Sequence, residues 1–405
     1  MRKITAMFIV SLTVIFFILH LALPDRKNSF IENRSLAQAP VLSAARVFSG
    51  DFRNDTNNYV SDQFPFRDMF IKAYMTLTAK HGNGETYKQI IEGKNGYDYY
   101  IYDENQILSI YGPKKDIGLA DVWNKKITAI DDLRKELNFD FVIDLVPSKA
   151  EALNPMLPAR LQHNTDKEIK DRFFSKTPRD IIKIDTMTEF DKKPLDELKK
   201  CYLNTDNHWN FYGAYEGFKV LCDNLHRTLN LNTSIAPYNF TEVPIKQNTI
   251  VGAYNRNLGD LFTSTEKLAY YQPSDPHVFD DLKLYVLDKD KNEKQAKLSD
   301  YIATKTSGPD VDYESLCVAD YDYLHFVNPK AMNHYSLVVI KDSFFDAEVP
   351  NISLLFDNVY VIDTRYYKNF NVYNFMKDTR ANGLMLFYNS TAFMKVEDHL
   401  TYDVR

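Results

Sequence analysis

Short runs of β-branched and aromatic residues, separated by stretches with helical periodicity, constrain the fold of this chain more than any other feature. The clearest is Asp140-Phe141-Val142-Ile143-Asp144-Leu145-Val146, which Pro147 bounds and which reads as a buried strand. Ile181-Ile182-Lys183-Ile184-Asp185 is a second, and strand character returns at 336–340, 359–362 and 384–388. Helical patterns fall at about 118–137, 167–174, 196–200 and 211–229, with further helices between the last strands. Strands alternating with helices predict an α/β domain with a mostly parallel sheet flanked by helices.

Residues 4–23 are almost wholly apolar and carry no formal charge. At a rise of about 1.5 Å per residue the run reaches roughly 30 Å, enough to cross a bilayer core. Arg2 and Lys3 precede it and Asp25-Arg26-Lys27 follows with less positive charge, so the positive-inside tendency keeps the amino terminus in the cytoplasm. The run is long for a signal peptide and no small-x-small site precedes Asp25, which favours an uncleaved single-pass anchor over residues 1–25. The rest of the chain is then expected outside the cytoplasmic membrane.

Residues 26–80 read as an extracytoplasmic tether, irregular to about Gly50, followed by two helices broken at Phe64-Pro65-Phe66, with Pro65 set to start the second. Residues 81–405 read as the main domain. Near its start, Asn95-Gly96 predicts the turn of a hairpin between Ile90 and Tyr100. The stretch at about 230–332 is less regular and reads as an insertion carrying β hairpins.

With 49 basic against 55 acidic residues, no basic excess advertises nucleic-acid binding. Cys201, Cys222 and Cys317 have neither metal-ligand spacing nor an even disulfide framework; at most one pair can bridge.

Acyl-transfer chemistry needs a nucleophile, a base to take its proton and an acid to orient the base. Asp206 and His208 lie two apart in Thr205-Asp206-Asn207-His208-Trp209, so a looped or extended segment can present both side chains together. Ser343 follows Val338-Val339-Ile340, at the carboxyl end of an expected strand, where α/β sheets present reactive groups. The residues after it, 344–348, can begin a helix whose N–H groups hold an oxyanion. On residue type alone, His277, His325 and His334 are alternative bases, and Ser336 and Ser390 alternative nucleophiles.

The order and spacing of several short motifs resemble the DHHW family and the related alginate O-acetyltransferase (J/X type) proteins. These motifs are Glu32-Asn33-Arg34-Ser35-Leu36-Ala37, Gln63-Phe64-Pro65-Phe66-Arg67-Asp68, Gly93-Lys94-Asn95-Gly96-Tyr97 and Val146-Pro147-Ser148-Lys149. The Asp206–His208 segment with Gly213-Ala214, and Lys341-Asp342-Ser343-Phe344, complete them. The resemblance implies an SGNH-hydrolase-like domain whose triad runs Asp-His-Ser, reversed relative to ordinary SGNH hydrolases. Asp206 would orient the base, His208 would be the base and Ser343 the nucleophile. Asn207 stands where the family signature has His, and Lys341 where a Gly-Asp-Ser block has glycine. Arg365 and Tyr366 lie where SGNH-like sheets carry substrate or oxyanion groups, with an Asp363 ion pair as the plain alternative. Lys149 either touches substrate or closes its turn; Trp209 either packs behind His208 or offers a sugar platform.

The resemblance further implies O-acetylation of an exopolysaccharide or cell-envelope glycan through a serine acyl-enzyme. The acetyl group would come from a multipass membrane O-acyltransferase partner, and neither metal nor soluble cofactor is called for. An acetylesterase with the same residues and a non-catalytic glycan-binding assembly subunit are the rival expectations.

Overall fold

The computed structural model describes residues 2–29, 34–81, 90–92, 98–100, 118–157, 159, 162, 165–245, 249–250, 252–253, 268–301, 310–311, 313, 317–318, 321–394 and 396–405. The chain divides into two compact units, Met1–Ile90 with Ala253–Thr263, and Ile91–Gly252 with Ser264–Arg405.

In the smaller unit, α1 (Arg2–Ala22) contains a segment long and apolar enough to cross a membrane. The tether after it is more ordered than expected. Asn28–Ser29 pairs antiparallel with Arg34–Ser35, and Ser43 caps a short helix, α2 (Ala44–Ser49), by accepting from the Arg46 N–H. Gly50 then turns the chain at φ +84°, a left-handed conformation that glycine adopts without strain, and α3 (Asp51–Asp62) starts at once. Pro65 does not open the next helix. Phe66 takes a left-handed φ of 59°, which no right-handed helix can include, so α4 (Arg67–His81) begins after it. Where the larger unit begins, Ile90–Glu92 and Asp98–Tyr100 form a two-stranded sheet, whose expected Asn95-Gly96 turn lies outside the described residues.

The larger unit is mixed α/β around an eight-stranded sheet. In chain order its strands are β1 (Asp140–Val146), β2 (Ile182–Ile184), β3 (Lys283–Leu287), β4 (Glu293–Ala296), β5 (Tyr323–Val327), β6 (Asn333–Lys341), β7 (Phe356–Ile362) and β8 (Gly383–Asn389). Their spatial order is β4-β3-β5-β7-β6-β8-β1-β2. The run β7-β6-β8-β1-β2 is parallel throughout. β5 joins it antiparallel, and β3 and β4 continue that wing. Residues 230–332 thus supply three strands to one edge of the same sheet, as well as an antiparallel pair, Phe240–Pro244 with Ala269–Pro273.

Both faces of the parallel strands are apolar, because successive side chains point to opposite sides. Leu337 and Val339 of β6, Met385 and Phe387 of β8, and Val142 and Val146 of β1 pack into one core with helix α7 (Phe211–Leu229) through Phe218, Leu221 and Leu225. Val338, Ile340, Leu384, Leu386, Phe141 and Ile143 face the other way. There they meet Ile127 and Ile130 of α5 (Gly118–Leu137), Phe173 of α6 (Thr165–Lys176) and Met376 of α8 (Val372–Thr379). This two-sided cover fixes where the strands end, and the carboxyl ends of β1, β6, β7 and β8 open at one edge.

Candidate active site

Beyond β2 the chain makes a tight loop whose base is an antiparallel bridge between Tyr202 and Trp209. Leu203 N–H donates to the His208 carbonyl (3.2 Å) and Asn210 N–H to the Cys201 carbonyl (2.8 Å). Asn210 also caps α7, its side chain accepting from the Gly213 N–H. Gly213 lies so near the Cys201 carbonyl that a Cβ would stand 2.2 Å from the oxygen, so this close approach requires glycine. At the loop's tip, Asp206 Oδ1 accepts from the His208 backbone N–H at 3.1 Å and lies 2.7 Å from its Nδ1.

Ser343 follows Asp342 at the end of β6, where the chain turns into a short 3-10 segment, Ser343–Ala347. Asp342 shapes the turn. Its Oδ1 accepts from Phe344 N–H (2.9 Å), while Oδ2 accepts from both the backbone N–H and the side-chain Nδ2 of Asn389 at the end of β8 (2.7 Å each). Burial raises the Asp342 carboxyl above its usual range, opposed by these backbone donors and by Arg365 and Lys341. The Phe344 and Phe345 N–H groups are both taken by Asp342, through its side chain and its carbonyl. The expected row of helix N–H groups for an oxyanion is therefore not present at those two residues.

The turn brings Ser343 Oγ to 2.7 Å from His208 Nε2. With the Nδ1 proton directed at Asp206, Nε2 is left to accept from the serine hydroxyl. Asp206 is buried and His208 nearly so. The imidazole lies flat on Tyr313, rings 4.0 Å apart and 3° from parallel, and Phe344 flanks it at 5.2 Å. The Tyr313 hydroxyl donates to the Ser343 carbonyl at 3.1 Å, so one side chain touches both the imidazole and the serine. An imidazole between a carboxylate and a hydroxyl can withdraw the hydroxyl proton as the oxygen attacks an acyl carbon.

The structure brings Asp206, His208 and Ser343 together and spreads the other candidates around them. Lys149 is buried, and its ammonium donates to the carbonyls of Asn204 (2.6 Å) and Asp206 (2.9 Å). Trp209 is fully buried, its indole N–H donating to the Phe344 carbonyl (2.9 Å). These two correct the substrate-contact expectations: neither offers solvent a face, and both hold the loop against its surroundings. Arg365, just past β7, forks onto Asp363 (Nε to Oδ1 2.9 Å, Nη2 to Oδ2 2.5 Å), and Tyr366 beside it is exposed. His277 and His334 bond to Asp280 and Asp357, while His325 lies between Glu293 and Asn358. Ser336 accepts from Asn358, and Ser390 donates to Asp166. The three cysteines are buried and free, and burial pushes the Cys201 thiol up to about 12, far from a nucleophilic thiolate.

Lys341, Tyr313 and Asp342 are neighbours of Ser343 and His208 whose contacts residue type does not reveal. Buried Lys341 reaches Asp346 (2.6 Å) and Asp363 (3.0 Å), tying the serine turn to the end of β7. Burial alone would raise the Asp363 carboxyl, but Lys341 and Arg365 outweigh it and hold it down to about 2. Lysine at this position thus stands inside a charge cluster, where a glycine would take the ammonium from buried Asp346 and leave Asp363 with Arg365 as its cation. Only its place in the Lys341-Asp342-Ser343 motif hints at this.

No protein-family model and no curated protein sequence matches the chain. Solved structures do. PatB1 of Bacillus cereus, in a form carrying a sulfonyl adduct, superposes with a TM-score of 0.62 at 25% identity, over 69% of this chain and 90% of that one. A DHHW family protein from Eubacterium siraeum gives 0.54 at 18% identity, over 79% and 97%. The O-acetyltransferase domain of Pseudomonas putida AlgJ gives 0.41 at 12%, over 75% and 91%. These structural neighbours include a member of the DHHW family that the sequence resembles.

Proposed function

We propose that this chain is a membrane-anchored, extracytoplasmic SGNH-like O-acetyltransferase that modifies a polysaccharide or cell-envelope glycan. The observation that carries the reading is the relay Asp206–His208–Ser343, with 2.7 Å at each link. His208 Nε2 takes the Ser343 proton as Oγ attacks the donor's acetyl carbonyl, and then returns that proton to the leaving group. An acetyl-serine ester results. A sugar hydroxyl next gives its proton to His208 and attacks the ester carbonyl, so that acetyl passes to the sugar and Ser343 recovers its hydroxyl. Asp206 keeps the imidazole in the required tautomer and stabilises its charged form. A sulfonyl adduct, the species seen in PatB1, is what an activated nucleophile forms with a sulfonylating reagent, which agrees with such a serine here. Outside the cytoplasmic membrane no acetyl-CoA pool is at hand, so the reading includes a multipass membrane acyltransferase as donor. α1 is the proposed anchor.

The test uses the full chain in nanodiscs with an activated acetyl ester, following ester cleavage and intact mass with and without candidate oligosaccharides. The expected outcome is an acetyl adduct on the wild type, absent from Ser343→Ala, and acetylated oligosaccharide as product. Release of acetate to water alone, whatever the acceptor, would make the protein an esterase. Absence of both adduct and turnover in the wild type would leave the glycan-binding reading in its place.

A further inference from the structure

Large apolar side chains exposed on this protein are distributed very unevenly. Among the described residues beyond α1, they fall between Leu23 and Leu77, with Val122 and Tyr366 as the exceptions. Within that stretch, Phe70, Tyr74 and Leu77 recur at helical spacing and form a stripe along α4 that is 44%, 62% and 59% exposed, with Phe66 (51%) just before the helix and Met69 (58%) beside it. A water-facing helix gains nothing from such a stripe.

The contacts of α1 say at what level the stripe lies. Phe16, within the apolar span, stacks on Phe64 with ring centres 5.0 Å apart and meets Phe70 at 5.8 Å. One turn closer to the end of α1, His20 meets Tyr59 (5.4 Å) and its Nδ1 lies 3.2 Å from the Gln63 carbonyl. At a rise of about 1.5 Å per residue, Phe16 is about 9 Å along the helix from Ala22. If α1 crosses a bilayer, as the functional reading holds, then Phe64 and Phe70 lie below the level at which it emerges. The opposite side of α4 points back toward that level: Asp68 forms a 2.7 Å ion pair with Arg26, just past α1, and Lys72 follows one turn later.

We propose that α4 is a second membrane element, lying in the boundary between headgroups and acyl chains of the leaflet from which α1 emerges. Its Phe70-Tyr74-Leu77 stripe, with Phe66 just ahead of it, faces the acyl chains, and its Asp68-Lys72 side faces the headgroups. Lipid, rather than a protein partner, is the occupant because the stripe continues the exposed apolar surface of α1, which lipid must cover. The smaller unit is thereby fastened to the bilayer along its side as well as through its anchor.

The experiment places an environment-sensitive fluorophore on single cysteines introduced into the full chain, whose native cysteines are buried. Tyr74→Cys and Leu77→Cys report on α4, Val10→Cys on α1, and Asn57→Cys, on the exposed side of α3, on water. The protein is reconstituted in phosphatidylcholine vesicles rich in phosphatidylglycerol, with brominated acyl chains as the membrane quencher and iodide as the aqueous one. The expected result is bromine quenching at positions 74 and 77 of the same order as at position 10, with iodide quenching lost relative to position 57. Iodide quenching at 74 and 77, with bromine quenching at 10 alone, would overturn the proposal while leaving the anchor intact. Shielding of 74 and 77 from both quenchers would also overturn it, in favour of a protein partner. If position 10 itself escapes bromine, the anchor reading fails first and takes the proposal with it.

Discussion

The 205–209 loop and the Ser343–Ala347 turn converge on one hydrogen bond, but the first is gathered around a buried cation and the second around buried carboxylates. Lys149 draws two carbonyls of the loop onto its ammonium, and Gly252 presses so closely on the Thr205 carbonyl that a Cβ would stand 2.0 Å from it. The serine turn instead hangs from Asp342, which spans two strand ends, and from the Lys341–Asp346–Asp363 cluster. A loop without a strand behind it has free carbonyls that a lysine can collect. A turn at the end of a parallel strand presents N–H groups, which a carboxylate collects. The loop can therefore be loosened by removing the Lys149 ammonium, and the turn by removing the Asp342 carboxylate.

The severest way to separate the two segments is to leave both in place and spoil the relay. Asp206→Asn should lower acetyl-ester turnover by about 10³-fold or more, since the amide no longer selects the imidazole tautomer, with thermal melting little changed. Asp342→Ala attacks the turn itself. Removing the acceptor of three N–H groups should cost turnover about 10- to 100-fold, because the Oγ is no longer held at its distance from His208, and the melting temperature should fall with it. Lys149→Met leaves the two loop carbonyls without their donor. It should destabilise the fold by about 1–3 kcal/mol in denaturant titrations and lower kcat about tenfold, leaving the serine turn formed. Tyr313→Phe should be milder, a few-fold loss in kcat, because the ring stays stacked on His208 and only the bond to the Ser343 carbonyl goes; Tyr313→Leu, without the ring, should lose more.

A last variant probes what lies beneath both segments without touching the chemistry. Glu348, directly after the turn, is fully buried, and burial, then Asp144, pushes its carboxyl well above the usual range. Asp144 on β1 is itself raised to about 8, by burial first, although Thr186 donates to it at 2.8 Å. The unfolded chain ionises Asp144 above its ordinary 3.8, whereas the native state keeps the proton to about 8, so stability declines as pH rises across that window. Asp144→Asn removes the decline at that position. It should raise the melting temperature by a few degrees at pH 8 and by less at pH 5, with turnover unchanged.

What could be read in advance follows from the range of the interactions involved. The runs at 140–146, 336–340, 359–362 and 384–388 were legible because their side chains are buried on both faces, so composition alone marks them. Asp206 with His208 was legible because the pair is local, closed within one loop. Lys283–Leu287 became part of the main sheet only through its partner β5, and nothing nearby in the chain announces that pairing. For Lys149 and Trp209 residue type leaves substrate contact and a structural role both open, because the partners that decide for the second, Asn204 and Phe344, are distant in sequence. Tyr313 lies in the irregular stretch, where one tyrosine among many carries no signal until His208 is found beneath it.

The bond between His208 and Ser343 joins positions 135 residues apart. Closing so long a loop earns no local reward, and such contacts form only after the nearer ones have condensed. The helix that follows His208 and the strand that precedes Ser343 must each find the sheet before the hydroxyl meets its base. Under the proposed function, a nascent or half-assembled chain therefore carries a serine no more nucleophilic than that of a loose peptide. Reactivity toward an acylating probe becomes a clock for the end of folding, timing the moment at which the two halves of the domain have closed on each other.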